Sequence, residues 1–543
     1  MLRSTILVLL LTVTALAQDS KLGQVEFPTS GSPQAQAHFL RGLAALHSFW
    51  YEEALEAFRE STKVDPDFMM GYWGEAMAHN HPLWSEQDIA AARLVVARIK
   101  ETPKLTERER AYLNAVKLLY GDGDKRARDV AYSAAMEKIY RAYPQDLEAA
   151  SFYALSLLGL VRSEDKGYRL QAQAGALALA VYEKNPNHPG AAHYIIHAFD
   201  DPDHAILALP AARRYADIAP EAHHARHMPS HIFLQLGMWP EAAASNESAW
   251  ESSDNWMKRK NLPLSVRDYH SLHWLLYAYL QQGRYKKAEE LLQLMKKVMS
   301  ESTYDNKLRP DYYENNWASM AAAFVVETER WDLANQLFPE TKPAEATEQT
   351  PAGGGAHAMH GAAPAANTSG TTNTVRYPRA SRNLPPFIRG LAAAFRGAHN
   401  VESAPTGIRE FQVAAVNASL KKDHAKAIEL MKQATTLEEQ MSPPLGPPIL
   451  IKPSHELFGE ILLKAGKPAE ALAQFKVALL RQPNRARSLL GAARAAAQAG
   501  DQAGAAATYA KLLAQWDQAD QELAELREAR EFVKSQPQIT QKK

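Results

Sequence analysis

The chain has 543 residues, long enough for several domain-sized units, and its 61 basic side chains are balanced by 61 acidic ones. A formal net charge of zero, without a basic patch, argues against nucleic acid as a main partner. The chain has no cysteine, which excludes disulfides, thiolate metal sites and a lipid-attached N-terminal Cys.

Residues 1–17 read as a secretory signal peptide. Arg3 supplies the charged start, a short apolar core follows, and the small-residue run Ala15-Leu16-Ala17 precedes a cleavage site at Gln18. The alternative is an uncleaved anchor, although the apolar core is shorter than a typical membrane span. No other stretch is long and apolar enough to cross a bilayer, so we expect a periplasmic or secreted bacterial protein with no membrane span after cleavage.

The segment HFLRGLAALHSFWYEEALEAFRESTKVDP contains Gly42, Ala54, Phe58 and Pro66 at characteristic spacings. A small residue lets two helices approach closely, an aromatic ring fills the space between helix pairs, and proline ends the second helix. This pattern resembles the tetratricopeptide repeat, a helix–turn–helix unit of about 34 residues.

Further copies follow along the chain. The clearest begins at Ser454, with its signature at Gly459, Ala471, Phe475, Ala478 and Pro483. The resemblance implies an all-α solenoid of such repeats in a right-handed superhelix with a concave groove. We predict one solenoid segment over residues 33–338, a disordered low-complexity linker over 341–386, and a second segment over 387–535.

Histidines are concentrated in two of the repeats: ten of the nineteen lie between His188 and His273. The spacing from His193 to His227 equals one repeat length, as does the spacing from His197 to His231. Each repeat therefore carries one His-x-x-x-His pair at the same place. The clustering predicts a shared role.

On a helix starting at Pro189, the apolar residues form one stripe, and His193 and His197 project to the opposite side. The family resemblance implies that this side lines the groove. We therefore expect His193, His227 and His273 to stack along one wall, with His197 and His231 in a parallel row.

Three interpretations of these histidines remain open. Imidazoles one helical turn apart can share a metal ion, for which zinc or copper is the natural candidate. A groove lined with histidine can hold a peptide or an anionic small molecule. The histidines can also be half-buried groups that pair with carbonyls or with each other. The candidate metal ligands are His193, His197, His227 and His231. The candidate groove residues are His193, His197, His224, His227, His231, His270, His273, Trp73 and Tyr277.

Pro229 interrupts the second His-x-x-x-His pair. A helix interior resists proline, so the helix either begins near Ser230 or is kinked there.

The sequence favours an exported scaffold that binds a peptide, a protein partner or a small ligand in its groove. The alternative is a metal-binding protein or metal-dependent enzyme that uses the histidines of residues 193–273, with Asp200, Asp201 or Glu221 as a nearby base. Asp200 is also a candidate to complete the metal's ligand shell. We find no nucleophile elbow, phosphate loop or zinc-protease motif, so we do not expect an enzyme on motif grounds.

Overall fold

A computed structural model describes residues 21–162, 167–301, 312–339, 384–397, 405–442 and 446–536. The predicted signal peptide and residues 341–383 of the predicted linker lie outside the described residues. Helix resumes at Leu384, slightly earlier than predicted.

The described chain is built from helices in antiparallel succession. The first group comprises α1 Pro33–His47, α2 Tyr51–Val64, α3 Met69–Met77, α4 Ile89–Val96, α5 Glu107–Leu119, α6 Lys125–Ala142, α7 Leu147–Leu160 and α8 Arg169–Lys184. The second comprises α9 Pro189–Ala198, α10 Ala205–Ile218, α11 His223–His227, α12 Pro229–Gln235, α13 Trp239–Lys260, α14 Tyr269–Gln281, α15 Tyr285–Glu301, α16 Tyr312–Thr328 and α17 Ala334–Leu337. The last comprises α18 Leu384–Phe395, α19 Ile408–Leu420, α20 His424–Glu439, α21 Ser454–Lys464, α22 Pro468–Arg481, α23 Ala486–Gln498, α24 Gln502–Gln515 and α25 Ala524–Ser535.

The remaining regular elements are short. Strands β1 Asn80–His81 and β2 Glu86–Gln87 pair antiparallel, and 3₁₀ turns occupy Pro82–Trp84, Leu264–Val266 and Trp331–Leu333. Consecutive helices pack on one another through most of the described chain, which confirms an all-α solenoid. Among the described residues, no helix has the length and apolarity needed to cross a membrane.

The repeat signature works by seating an aromatic ring against two glycines. A Cβ atom built on Gly42 would lie 2.8 Å from the Phe58 ring, and one on Gly74 would lie 2.3 Å from it. Phe475 sits against Gly459 and Gly491 in the same way near the other end of the chain. Any side chain at these glycines would displace the ring that joins one repeat to the next, so the spacing read from the sequence is a packing requirement.

The C-terminal repeats also contact the middle of the chain. The indole N–H of Trp239 donates to the Asn484 carbonyl at 2.8 Å, and that of Trp516 donates to the Gln281 carbonyl at 3.0 Å. The sequence did not predict these contacts. They bring together two stretches that lie far apart along the chain.

Arg485 is the centre of this contact and is fully buried. Its guanidinium donates two hydrogen bonds to Glu456, at 2.8 and 3.1 Å, and one to the hydroxyl of Tyr277 at 2.8 Å. Glu327 lies 2.6 Å away on another side, and the buried Lys452 pairs with Glu456 at 3.0 Å. Since a buried charge that loses its partner is costly, the contact between the C-terminal repeats and the middle of the chain depends on this network.

Replacement of Glu456 by Gln tests the network. We expect Glu456→Gln to lower the free energy of unfolding by about 3 kcal/mol, because Arg485 and Lys452 both lose a buried counter-charge. The control is Glu470→Gln, the same substitution in an exposed pair with Lys467, which should cost about 0–1 kcal/mol. Urea denaturation followed by circular dichroism measures both, and equal losses would contradict the assigned role.

Candidate functional site

The histidine-rich helices are positioned by their first turns. In α9, the His188 side chain accepts the Ala191 N–H as N-cap, and Pro189 occupies the first helical position. In the next repeat, α11 ends at His227 and α12 begins at Pro229, which confirms the predicted break. Proline is tolerated there because the first N–H of a helix needs no partner within it.

His193, His197 and His224 form the first histidine cluster, in which one nitrogen from each ring lies within 4.8 Å of the others. The Nε2 atoms of His193 and His197 are 3.0 Å apart. His193 and His224 are buried, and His197 is half-buried.

His227, His231 and His270 form the second histidine cluster by the same distance measure. The Nε2 atoms of His227 and His231 are 3.2 Å apart. His227 and His231 are buried, and His270 is half-buried.

The two clusters are built on one plan. Each combines the His-x-x-x-His pair of one repeat with a third histidine from the first helix of the following repeat. His224 and His270, the third members, occupy equivalent repeat positions, one helical turn before His227 and His273. The clusters are adjacent, since the rings of His197 and His231 lie 5.9 Å apart.

In the second cluster, the outer nitrogen of each paired ring is held by a hydrogen bond. His231 donates from Nδ1 to Asp200 Oδ2 at 2.6 Å, and Gln235 donates to the other oxygen of Asp200. His227 donates from Nδ1 to Asn246 Oδ1 at 2.7 Å, an atom identified as the oxygen because the Asn246 amide nitrogen donates to a carbonyl. Both Nε2 atoms therefore present lone pairs, and they face each other.

Burial keeps these imidazoles neutral. It lowers the pKa of His231 to about 3 and, together with the neighbouring His231, the pKa of His227 to about 4. Two lone pairs that face each other at 3.2 Å without a proton between them repel. The same separation suits two ligands of one tetrahedral metal ion, whose nitrogens lie about 3.3 Å apart for bonds of roughly 2.0–2.1 Å.

The first cluster follows the same logic with one difference. His193 donates from Nδ1 to the His47 carbonyl at 2.7 Å, and burial lowers its pKa to about 3. Its Nε2 lone pair therefore points at His197. An Nε2–H tautomer of His197 would satisfy this pair without a metal, so the second cluster provides the sharper evidence.

A third group, His47, Glu148 and His188, meets the same distance criterion but differs chemically. Glu148 accepts from His47 at 2.6 Å and from His188 at 3.1 Å, the Tyr194 hydroxyl donates to His47 Nδ1, and the Ala191 N–H donates to His188 Nδ1. Every ring nitrogen has a partner of the right kind. This group is a hydrogen-bonded part of the core.

The structure separates the predicted groove histidines: His193 and His227 are fully buried, whereas His197, His224, His231 and His270 line a cleft. The turn between α1 and α2 places Phe49, at a positive φ of 52°, over the first cluster, with its ring 4.3 Å from that of His193 and 5.8 Å from those of His197 and His224. The four predicted metal ligands also divide between two clusters.

Three predicted groove residues lie elsewhere. His273 belongs to neither cluster, because His270, one turn earlier on α14, meets His227 in its place. Trp73 is buried in an aromatic core beside Tyr112 and Phe152. Tyr277 is buried where the C-terminal repeats contact the middle of the chain, as the acceptor of the Arg485 hydrogen bond.

The predicted bases are engaged in other contacts. Asp200 accepts the Nδ1 hydrogen of His231, whereas the Nε2 atom of the same ring faces His227. Both carboxylate oxygens of Asp201 lie within hydrogen-bond distance of His204 Nδ1, at 2.8 and 2.9 Å. Glu221 lies near Lys21 and Arg41.

Both clusters open onto one cleft of about 980 Å³, a volume that includes solvent at its mouth. Four cluster members face it. The lining residues are Leu83, Trp84, Leu158, Val161, Tyr168, Gln171, His197, Ala198, Asp200, Asp201, His224, Met228, His231 and His270. The sequence did not single out Phe49, Asn246 or Gln171, because none lies in a histidine motif.

Comparison with known proteins supports the repeat assignment. Residues 35–68 match the family model described as tetratricopeptide repeat, which confirms the resemblance found in the sequence. No curated protein matches the chain.

Several solved structures are similar in part. The APC/C hetero-tetramer Cut9–Hcn1 covers 92% of this chain and 76% of its own at 11% identity, with a TM-score of 0.34. Yeast Tom70 covers 92% and 88% at 10% identity, with a TM-score of 0.22. The TPR domain of P58(IPK) covers 94% and 100% at 12% identity, with a TM-score of 0.20. TM-scores this low carry no further inference.

The lowered pKa values predict how stability depends on pH in protein stripped of metal. Between about pH 6.5 and 4, the unfolded chain protonates His193, His227 and His231 whereas the folded chain does not. The free energy of unfolding should therefore fall as the pH falls through this window, by up to about 1.4 kcal/mol per pH unit for each histidine. Urea denaturation at pH 7, 6 and 5 measures the slope. His231→Gln should lower this slope by the contribution of one histidine, because one fewer proton is taken up on unfolding. An unchanged slope would contradict the assignment.

Proposed function

We propose that this protein binds two transition-metal ions, zinc or copper, one in each histidine cluster. The observation that carries the proposal is the pair formed by His227 and His231. Both Nδ1 hydrogens are held by outer partners, and the two Nε2 lone pairs meet at 3.2 Å. Imidazole nitrogen suits both metals.

The outer partners support this assignment. Metal-bound histidines characteristically donate their other N–H to a carboxylate or carbonyl, which sets the tautomer and aims the ring. Asp200 acts in this way for His231, and the His47 carbonyl does so for His193. The Asn246 side-chain carbonyl serves the same purpose for His227.

Three histidines leave a fourth tetrahedral position open in each cluster. Closed structural zinc sites use four protein ligands, whereas three-ligand sites keep a position for water or a bound molecule. Because members of both clusters line the cleft, a molecule there has access to both ions. The tetratricopeptide fold is generally a scaffold for protein interaction, and here we propose that the scaffold also presents metal.

Counting metal ions in variants tests the proposal. The native protein should hold two ions per chain after zinc loading and dialysis. His193→Ala with His197→Ala should retain one, as should His227→Ala with His231→Ala, and the fourfold variant should retain none. Elemental analysis gives the counts.

The control for these variants is His273→Ala. This half-buried histidine belongs to the same repeat pattern but lies outside both clusters, so the variant should keep both ions. Circular dichroism checks that each variant stays helical. A native protein that retains no zinc or copper, or a fourfold variant that keeps two ions, overturns the proposal.

Asp200 provides a test that leaves every ligand in place. Asp200→Asn should weaken the metal affinity of the second cluster roughly 10–100-fold, because the His231 ring loses its carboxylate acceptor. Asp203→Asn, an exposed carboxylate slightly further along the chain, is the matched control and should change nothing. Competition with a chromophoric chelator measures the metal affinity of each variant. Equal affinities in the Asp200→Asn and Asp203→Asn variants would show that Asp200 does not support the second cluster.

A further inference from the structure

The cleft beside the clusters has a mixed lining. It includes four histidines and five apolar side chains, which we call the apolar wall: Leu83, Trp84, Leu158, Val161 and Met228. A molecule that fills the cleft therefore needs an apolar group and a group that coordinates metal.

The charges that line the cleft indicate which chemical group coordinates the metal. The described lining contains Asp200 and Asp201 but neither lysine nor arginine. Without metal, the cleft repels an anion. With an ion in each cluster, the two metal charges outweigh the two carboxylates and offer open positions that a carboxylate oxygen suits.

Gln171 adds a third requirement. Its side-chain oxygen is buried, and it accepts no hydrogen bond from any described residue. A buried acceptor left unpaired is costly, so we expect a bound molecule to donate a hydrogen bond to this oxygen. Because Gln171 lines the same cleft, an N–H of the bound molecule is the natural partner.

We propose that the cleft binds the C-terminal residue of a peptide that ends in an apolar side chain. The terminal carboxylate coordinates the metal, the residue's backbone N–H donates to Gln171, and its side chain packs against Trp84 and the apolar wall. This inference rests on the proposed metal function and names the ligand class for the same site.

Three small probes separate these requirements. N-acetyl-leucine carries the carboxylate, the N–H and the apolar side chain. N-acetyl-leucinamide lacks the carboxylate, and 4-methylpentanoate lacks the N–H. Cobalt(II) in place of zinc provides a visible spectrum that changes when a ligand enters the coordination shell.

N-acetyl-leucine should change the spectrum of the full-length cobalt protein in a saturable way. 4-Methylpentanoate should bind roughly 3–10-fold more weakly, because one hydrogen bond is lost. N-acetyl-leucinamide should bind at least about 10-fold more weakly, because it has no anionic ligand for the metal. Calorimetry on the metal-free protein should show no binding of N-acetyl-leucine.

Gln171→Leu isolates the hydrogen bond. The substitution should weaken the binding of N-acetyl-leucine roughly 3–10-fold and leave the affinity for 4-methylpentanoate unchanged. General damage to the cleft would weaken the binding of both probes. A cobalt count of two per chain shows that the variant's clusters are intact.

The outcomes distinguish this inference from the proposed function. Failure to bind cobalt or zinc contradicts the metal function, and the ligand inference falls with it. A cobalt-loaded protein whose spectrum none of the probes changes contradicts the ligand inference alone. Equal binding of acid and amide, or equal binding to metal-free protein, also overturns it.

Discussion

The hydrogen bonds from His227 and His231 to Asn246 and Asp200 determine the chemistry of the site. An isolated neutral imidazole can carry its proton on either nitrogen and adapt to a neighbour. Here both outer nitrogens are committed to acceptors, and burial opposes a second proton on either ring. With the outer nitrogens as donors, the two inner nitrogens face each other as acceptors. A shared cation would remove their repulsion, and this is why we propose a metal there.

The repeat architecture explains why this arrangement occurs twice. A helix pair repeated at a constant period brings equivalent side chains to equivalent places, and each unit contacts only its neighbours. Neither cluster is formed by one repeat alone, because the third histidine comes from the next first helix. Binding a metal therefore joins α9 to α11 and α12 to α14, and it should stabilise the stacking of repeats as well as the ligands themselves.

Local packing rules made much of the fold predictable. The spacing of Gly42 and Phe58 follows from ring-to-glycine contact within a repeat and between adjacent repeats, so the sequence alone predicted the helix pairs. The break at Pro229 followed from the chemistry of proline. The Arg485 contact was not predictable, because it depends on how small rotations accumulate along the solenoid until distant repeats meet.

The site was predictable as a set of histidines but not as two clusters. Helical periodicity gives the face on which a side chain lies, and it correctly grouped His193 with His197. It does not give the offset between neighbouring helices, which determines that His270 and not His273 meets His227. Nor does it reveal that Phe49, from a distant turn, packs against the ring of His193.

Proximity of histidines and carboxylates is a poor criterion for a metal site, as this molecule shows in one small region. The group of His47, Glu148 and His188 is as compact as the two clusters and lies beside them. Its donors and acceptors balance, because a carboxylate takes one proton from each ring and Tyr194 and a backbone N–H supply the others. A cation inserted there would have to displace hydrogen bonds that already satisfy every buried atom. In the second cluster two acceptor nitrogens face each other instead, and that mismatch is the basis of the proposed metal site.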